Sequence, residues 1–474
     1  MPDGVDDSRL WKALSLRWLL LFLLQCIANL APDHDADAFR LPTRLEAVDE
    51  PCNAACELAS SALHAALDGF AKWDSLHFLD VAERGYVSES SLAFYPLYPL
   101  LTRAFAAPAS LLLRRRSALL LACCAISALA FAASVVLLRR LTRRLFGPPA
   151  ADLASLVMCI NPAGIFFNAC YTESLYMLLT TAALCCLYDR RTRAPISLRR
   201  LACASVFFSL SSLTRSNGLV NCVHVAAVLG AELLADTRAD RRLRVFVERS
   251  ARQCVRGLCC AALILLPSLV HVYLVHDAFC VRGVPLFGGA ESAAFSLGAD
   301  EPVAGERHRL PWCNASPPFF YGHVQRKYWD VRPFGYYTTR KLPNFLLAAP
   351  TLLLLAAATV SSGRRCLAAG SAEAALEAAM AVQGVVVLLV SVLMINVEVV
   401  TRLAWSSSPL LVWYCAEQLA KAHRRAPHSQ RLTFVGTTLH LWRHGDLRAK
   451  LVLAYSLSYC VVGCCLHVNF LPWT

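Results

Sequence analysis

Hydrophobic positions in this chain neither alternate nor fall on a single stripe; they run. Stretches 16–31, 117–138, 258–275, 342–360, 378–397 and 451–468 are apolar all round. Crossing a bilayer core of about 30 Å takes roughly 20 helical residues, so these stretches read as membrane helices. Stretches 151–168, 172–188, 201–213, 219–234 and 403–420 are shorter, and read as tilted or broken crossings. Stretch 93–113 carries Pro96, Pro99 and Pro108, which suits an interfacial or re-entrant segment. The pattern predicts an all-α polytopic membrane protein, a single domain over 1–474, with about eleven crossings.

Basic residues thread these crossings. Arg9, Lys12 and Arg17 flank the first apolar run, and "RRLTRR", "DRRTR", "RADRRLR", "SSGRR" and "KAHRRAPHSQR" lie between later ones. With the N-terminus cytosolic, nearly all of them fall on one side, as the positive-inside bias requires. The first run resembles a signal peptide, but "PDHDADAF" after it has no small-x-small cleavage site, so it reads as a signal anchor. This threading sends residues 32–92, with interfacial helices, and 276–341 to the far side as two loops. It also delivers five polar-aromatic islands there: "KWDSLHFLDVAERGY", "FNACYTES", "TRSNG", "YWDVRPFGYYTTRKLPNF" and "EVVTR". Polar groups at membrane depth are expensive and mark a cavity or a site.

Composition narrows the class. Over 474 residues the mean hydropathy is +0.48 and only 17% of residues are charged, which excludes a disordered chain and an ordinary soluble domain. A net charge of +13 would suggest nucleic acid in a soluble protein, but here it follows from the cytosolic loops, and no nucleic-acid partner is expected. Most of the 21 cysteines lie in apolar runs and read as small hydrophobes. Cys280 and Cys313 share the far-side loop, where an oxidising lumen would pair them. Cys52 and Cys56, spaced C-x3-C, would be awkward to bridge within a helix. No Cys or His grouping has zinc spacing, so no metal is expected. Asn314 opens a glycosylation sequon, but Pro317 follows it and occupancy should be poor.

The islands carry candidate chemistry. On a helix, Trp73, Asp74 and His77 would share one edge. An indole stacks on the apolar face of a pyranose while a carboxylate fixes or deprotonates a hydroxyl. An interfacial aromatic anchor with a capping aspartate explains the same residues. Glu173 lies between apolar flanks and either joins a site or caps the next helix with Thr172. Arg215 and Arg402, both inside apolar surroundings, with Asn217 beside the first, suit an anion at membrane depth. Tyr328, Trp329, Tyr336 and Tyr337 offer ring faces, and Arg340 and Lys341 offer charge; an interfacial belt would look the same.

Taken in order, "PDHDADAF", "WDSLHFLDVAERGY", "AFYPLYPL", "NPAGIFFNACYTESL", "RSNGLV", "YWDVRPFGYYTTRKLPNFLLAAP" and "VVTRLAWSSSP" resemble the PIG-V family, GPI mannosyltransferase II. The resemblance covers most of the chain from residue 32 to 409, with no likeness in the linkers 231–256 and 363–379. It implies a GT-C type glycosyltransferase of the endoplasmic reticulum membrane with a lumenal site. Its substrates would be dolichyl-phosphate mannose as donor and a GPI precursor as acceptor, joined by an α1,6 linkage, with no cofactor and room for a small membrane partner subunit. The important Trp-Asp pair of the family falls on Trp73 and Asp74. An inverting transfer needs one base, and a first-loop carboxylate is implied: Asp74, Asp33 or Asp35. A sister mannosyltransferase using the same donor, a multi-pass transporter and a noncatalytic subunit are the competing readings.

Overall fold

In the computed structural model, residues 8–34, 52–188, 195–239, 242–288, 309–317, 319–368, 371–423 and 433–473 are described. Among them the regular structure is helical, apart from isolated bridge residues such as the antiparallel pair Tyr86 and Leu286. The first part of the chain forms α1 (Ser8–Ala28), α2 (Ala54–Leu67), α3 (Asp74–Arg84), α4 (Leu97–Ala106) and α5 (Arg115–Phe146). Next come α6 (Pro148–Cys159), α7 (Glu173–Leu187), α8 (Leu198–Ser212), α9 (Cys222–Ala239), α10 (Leu243–His276) and α11 (Phe320–Trp329). The last part contains α12 (Leu342–Ala368), α13 (Ser371–Leu393), α14 (Val400–Ser407), α15 (Leu410–His423), α16 (Phe434–His444) and α17 (Leu447–Val468).

Among the described residues, seven helical stretches are long and apolar enough to cross a membrane: Ser8–Ala28, Arg115–Phe146, Ser216–Thr237, Leu243–Arg282, Thr339–Ala368, Glu373–Leu393 and Leu447–Val468. The other four expected crossings are shorter pieces, α6, α7, α8 and the broken pair α14–α15. Their breaks have local causes. Pro162 ends the α6 run, and Asn161 Oδ1 accepts the Ala163 N–H at 2.8 Å to close a turn. Pro409 forces Ser408 into an extended conformation (φ −164°), which separates α14 from α15. The short helices sit inside the bundle, where α7 packs against α5 and α8, and α15 against α6 and α12. By contrast, Leu258, Leu266, Leu269 and Tyr273 of α10 face outward, as a lipid-facing surface requires.

Two details differ from expectation. Arg17 does not belong to a cytosolic flank: it is buried, donating to Asn168 Oδ1 at 2.7 Å and to the Gly164 carbonyl at 3.0 Å, with Phe131 under its guanidinium. Cys52 and Cys56 are bonded to each other. The C-x3-C spacing is workable because α2 starts only at Ala54. Asn53, itself extended, caps it by accepting the Cys56 N–H at 2.9 Å, which leaves Cys52 outside the helix before the cap.

A second, smaller core lies beside the main one and gathers Val81, Tyr86, Phe279, Trp312 and Phe320 around the Cys280–Cys313 disulfide. Gly85 makes the junction. Its φ is +80°, and a Cβ there would come within 2.5 Å of the Leu286 carbonyl and the Gly288 nitrogen. Arg103 of α4 then ties the end of α3 to this core through the carbonyls of Ala82 (2.6 Å), Val81 (3.2 Å) and Phe287 (2.5 Å).

Candidate active site

The helix breaks converge on one cavity of about 550 Å³. The turn between α6 and α7 supplies Phe166, Tyr171 and Thr172; the turn after α8 supplies Thr214, Arg215, Ser216 and Asn217; α14 supplies Arg402 and Leu403. Gly218 lets the second turn close. A Cβ there would lie 2.6 Å from Ser212 backbone atoms. Trp73 and Asp74 enter from the start of α3, and Tyr328 and Trp329 from the end of α11.

Four charged side chains form one network. Arg402 Nη2 donates to Asp74 Oδ2 at 2.6 Å, and Arg402 Nη1 lies 3.7 Å from Glu173 Oε1. Glu173, fully buried, also pairs with Arg215, whose Nη1 donates to Thr172 Oγ1 at 3.3 Å. The Phe166 and Tyr171 rings lie 5.5 and 5.2 Å from the Arg402 guanidinium. Largely buried, the Arg402 guanidinium is compensated by the two carboxylates it meets, Asp74 and Glu173. Burial, reinforced by the Asp74 charge, pushes the Tyr171 phenol well up, so it stays neutral. Each guanidinium carries five N–H donors in a plane, a geometry suited to phosphate oxygens.

Asp74 is held in place by its neighbours on the chain. It is the first residue of α3, where the helix dipole favours a carboxylate. Trp73 before it has φ +58°, a strained conformation for a tryptophan that costs on the order of 1–3 kcal/mol. The indole N–H donates to the His467 carbonyl at 3.2 Å, and the ring lies 5.7 Å from Phe470. Trp73 therefore lies outside the helix, and the edge expected to carry Trp73, Asp74 and His77 together does not form. His77 stacks on Phe94 at 4.6 Å, behind the cavity wall.

The remaining candidates divide. Asn217 lines the cavity and donates to Ser407 Oγ at 3.1 Å. Asp33 does not line it: its carboxylate bonds Lys72 Nζ at 2.9 Å. Asp35 lies outside the described residues. Arg340 is exposed and away from the cavity, whereas Lys341 lies 3.3 Å from Glu398 Oε1, a carboxylate that does line it. Glu173 does not cap α7, since Thr172 is in a helical conformation with no side-chain cap. Among the described residues no three His, Cys, Asp or Glu side chains gather as metal ligands would.

Two residues escaped the sequence reading. Glu89, fully buried, accepts Trp312 Nε1 at 2.8 Å, Tyr328 OH at 2.8 Å and Lys327 Nζ at 2.5 Å. Nothing in "VSESS" distinguishes it from a solvated loop. His467 lines the cavity from the last turn of α17; a histidine inside an apolar run was the available signal.

A family model described as "Mannosyltransferase (PIG-V)" matches residues 10–474. A protein of Rattus norvegicus named GPI alpha-1,6-mannosyltransferase 2 is 30% identical over 520 aligned residues, spanning 100% of this chain and 99% of its own. The Homo sapiens protein of that name is 28% identical, with 99% of each chain covered. Among solved structures, the archaeal oligosaccharyltransferase AglB from Archaeoglobus fulgidus, in complex with an inhibitory peptide and a dolichol-phosphate, superposes with a TM-score of 0.47 at 13% identity, covering 99% of this chain and 57% of that one.

Proposed function

The chain belongs to the PIG-V family of mannosyltransferases, and from this we propose that it adds the second mannose, in α1,6 linkage, to the GPI precursor. The donor in this reading is dolichyl-phosphate mannose, and the site faces the lumen of the endoplasmic reticulum. The observation that carries it is the Asp74–Arg402–Glu173–Arg215 network at the cavity, which puts a carboxylate beside two guanidiniums.

Asp74 takes the proton of the acceptor hydroxyl. That oxygen bonds to C1 of the donor mannose from the face opposite the phosphate, so a β-linked donor gives an α product. The C1–O bond to phosphate breaks, its electron pair leaves on dolichyl phosphate, and the proton remains on Asp74. Arg215 and Arg402 hold the departing phosphate, each with N–H groups oriented before the charge develops. Glu173 lies behind both and fixes them. The Arg402 contact holds the Asp74 carboxylate in place beside the cavity. Trp73, Phe94 and Trp329 offer ring faces to the sugars.

A phosphate leaving on a lipid spreads its charge onto the arginines, so we propose transfer without a resident metal; activity that persists in EDTA supports this, and loss that magnesium or manganese restores opposes it. The function is tested by expression in cells lacking the second GPI mannosyltransferase. Surface GPI-anchored proteins should return. An intermediate that still carries a single mannose sinks the assignment.

A further inference from the structure

Three buried polar atoms on cavity-lining residues, unpaired among the described residues, take no part in the ion-pair network: His467 Nε2, Asn396 Oδ1 and the indole Nε1 of Trp473, of which the first two can accept a hydrogen bond. His467 is 1% exposed, and its Nε2 has no hydrogen-bond partner among the described residues. Its ring stands edge-on to Phe166 at 5.3 Å and Tyr171 at 5.5 Å, the two rings that also carry Arg402. Its carbonyl receives the Trp73 indole N–H, which places the imidazole beside the residue that presents Asp74. On another part of the wall, Asn396 donates Nδ2 to the Trp329 carbonyl at 3.1 Å, while its Oδ1 is buried and has no partner among the described residues. Buried polar groups are normally paired, and these two unpaired acceptors belong to residues that line the space a substrate enters.

We propose that His467 and Asn396 bind the acceptor sugar, His467 Nε2 and Asn396 Oδ1 each bonding a hydroxyl of the ring whose reactive hydroxyl approaches Asp74. The aromatic walls fit that occupant. They leave the imidazole edge-on between rings, where a hydroxyl bonds to it without bringing charge. The phosphate, in contrast, has the two arginines. The inference rests on the mannosyltransferase reading above and deepens it by assigning the acceptor side of the cavity.

The test replaces His467 with Phe, which keeps a ring between Phe166 and Tyr171 and removes both nitrogens, and with Gln, which keeps a hydrogen-bonding end. Rates are compared per folded molecule in purified protein. H467F should raise the acceptor KM roughly ten-fold, the loss of about one hydrogen bond to a neutral group, with the donor KM unchanged. H467Q should recover part of that loss. An unchanged acceptor KM in H467F, or a rise confined to the donor KM, overturns the proposal. If H467F does not yield folded protein, Asn396→Ala decides on the same criterion. Binding of a soluble mannosyl-glucosaminide, followed by tryptophan fluorescence, separates the two readings. Wild-type protein that binds it but transfers no mannose sinks the function and leaves the acceptor site standing, whereas equal binding by wild type and H467F sinks the acceptor site alone.

Discussion

Glu173 and Glu89 are both fully buried, and both act on side chains that line the same cavity. Their surroundings differ. Glu89 is surrounded by donors from one neighbourhood: Trp312 and Tyr328 hydrogen-bond it, Lys327 closes on it, and His323 lies 3.6 Å away. These join the loop of Cys280–Cys313 to α11, so Glu89 fastens the second core to the cavity wall. Glu173 is flanked by guanidiniums from two separate helix breaks, Arg215 after α8 and Arg402 in α14. It gathers charge at the point where the short helices stop. A buried carboxylate costs little when its hydrogen bonds are complete. When it also holds two arginines at a cavity, it sets where an incoming anion can sit.

The largest effect should come from the carboxylate facing the cavity. Asp74→Asn keeps the shape and removes the base, so turnover should fall by about 10²–10⁴ while donor binding survives. Steady-state transfer and donor-binding assays check this together. The two glutamates come next and test the comparison itself. Glu173→Gln leaves Arg215 and Arg402 with less compensating charge, and removing one partner of a buried pair costs about 3–5 kcal/mol. We expect lower abundance, a lower Tm and a raised donor KM. Glu89→Gln keeps an acceptor for Trp312 and Tyr328 and loses only the charge opposite Lys327, so its cost should be about 1–3 kcal/mol with the donor KM unchanged. If both variants shift the donor KM equally, the distinction drawn between them fails.

Smaller again on turnover is the disulfide. Cys280→Ser with Cys313→Ser should lower thermal stability by about 2–5 kcal/mol, because the bridge closes the loop between α10 and α11. Transfer below that lower Tm should stay within a few-fold of wild type, since neither cysteine lines the cavity.

How much of this was legible depends on the kind of contact. The apolar runs predicted the helices because a fully apolar face leaves no alternative: the six long runs appear in place, and the run at 219–234, expected to be short, extends to Ser216–Thr237. The four short crossings were visible as runs, but their ends were set by Pro162, Pro409 and the turn at Gly218, and it is these ends that build the cavity. Asp74, Glu173, Arg215 and Arg402 stood out because charge in apolar sequence is rare. That they form one network required the fold, since Asp74 and Arg402 are 328 positions apart. Glu89 was invisible because its partners come from a loop more than two hundred residues away. Trp73 was misjudged as helical because a left-handed φ at a bulky residue has no sequence signal.

The smallest effect should come from the other first-loop carboxylate. Lys72 is buried, and two aspartates meet its ammonium, Asp33 at 2.9 Å and Asp68 at 2.7 Å. Asp33 keeps 45% of its side chain exposed, so water screens its half of the pair. It is also held by the backbone, since the His34 N–H donates to the Asn469 carbonyl at 2.9 Å and ties this segment to the end of α17. Asp33→Asn leaves Asp68 to neutralise Lys72, and an exposed pair of this kind is worth at most about 1 kcal/mol. Turnover should therefore stay within ten-fold of wild type, with stability nearly unchanged. The paired measurement with Asp74→Asn decides the base. An inactive Asp33→Asn beside a near-normal Asp74→Asn would move the proton transfer to Asp33, which would then have to leave Lys72 and turn into the cavity when substrate binds. Asp74 would become the residue that holds Arg402, and its resemblance to Glu173 would be closer than its position at the cavity suggests.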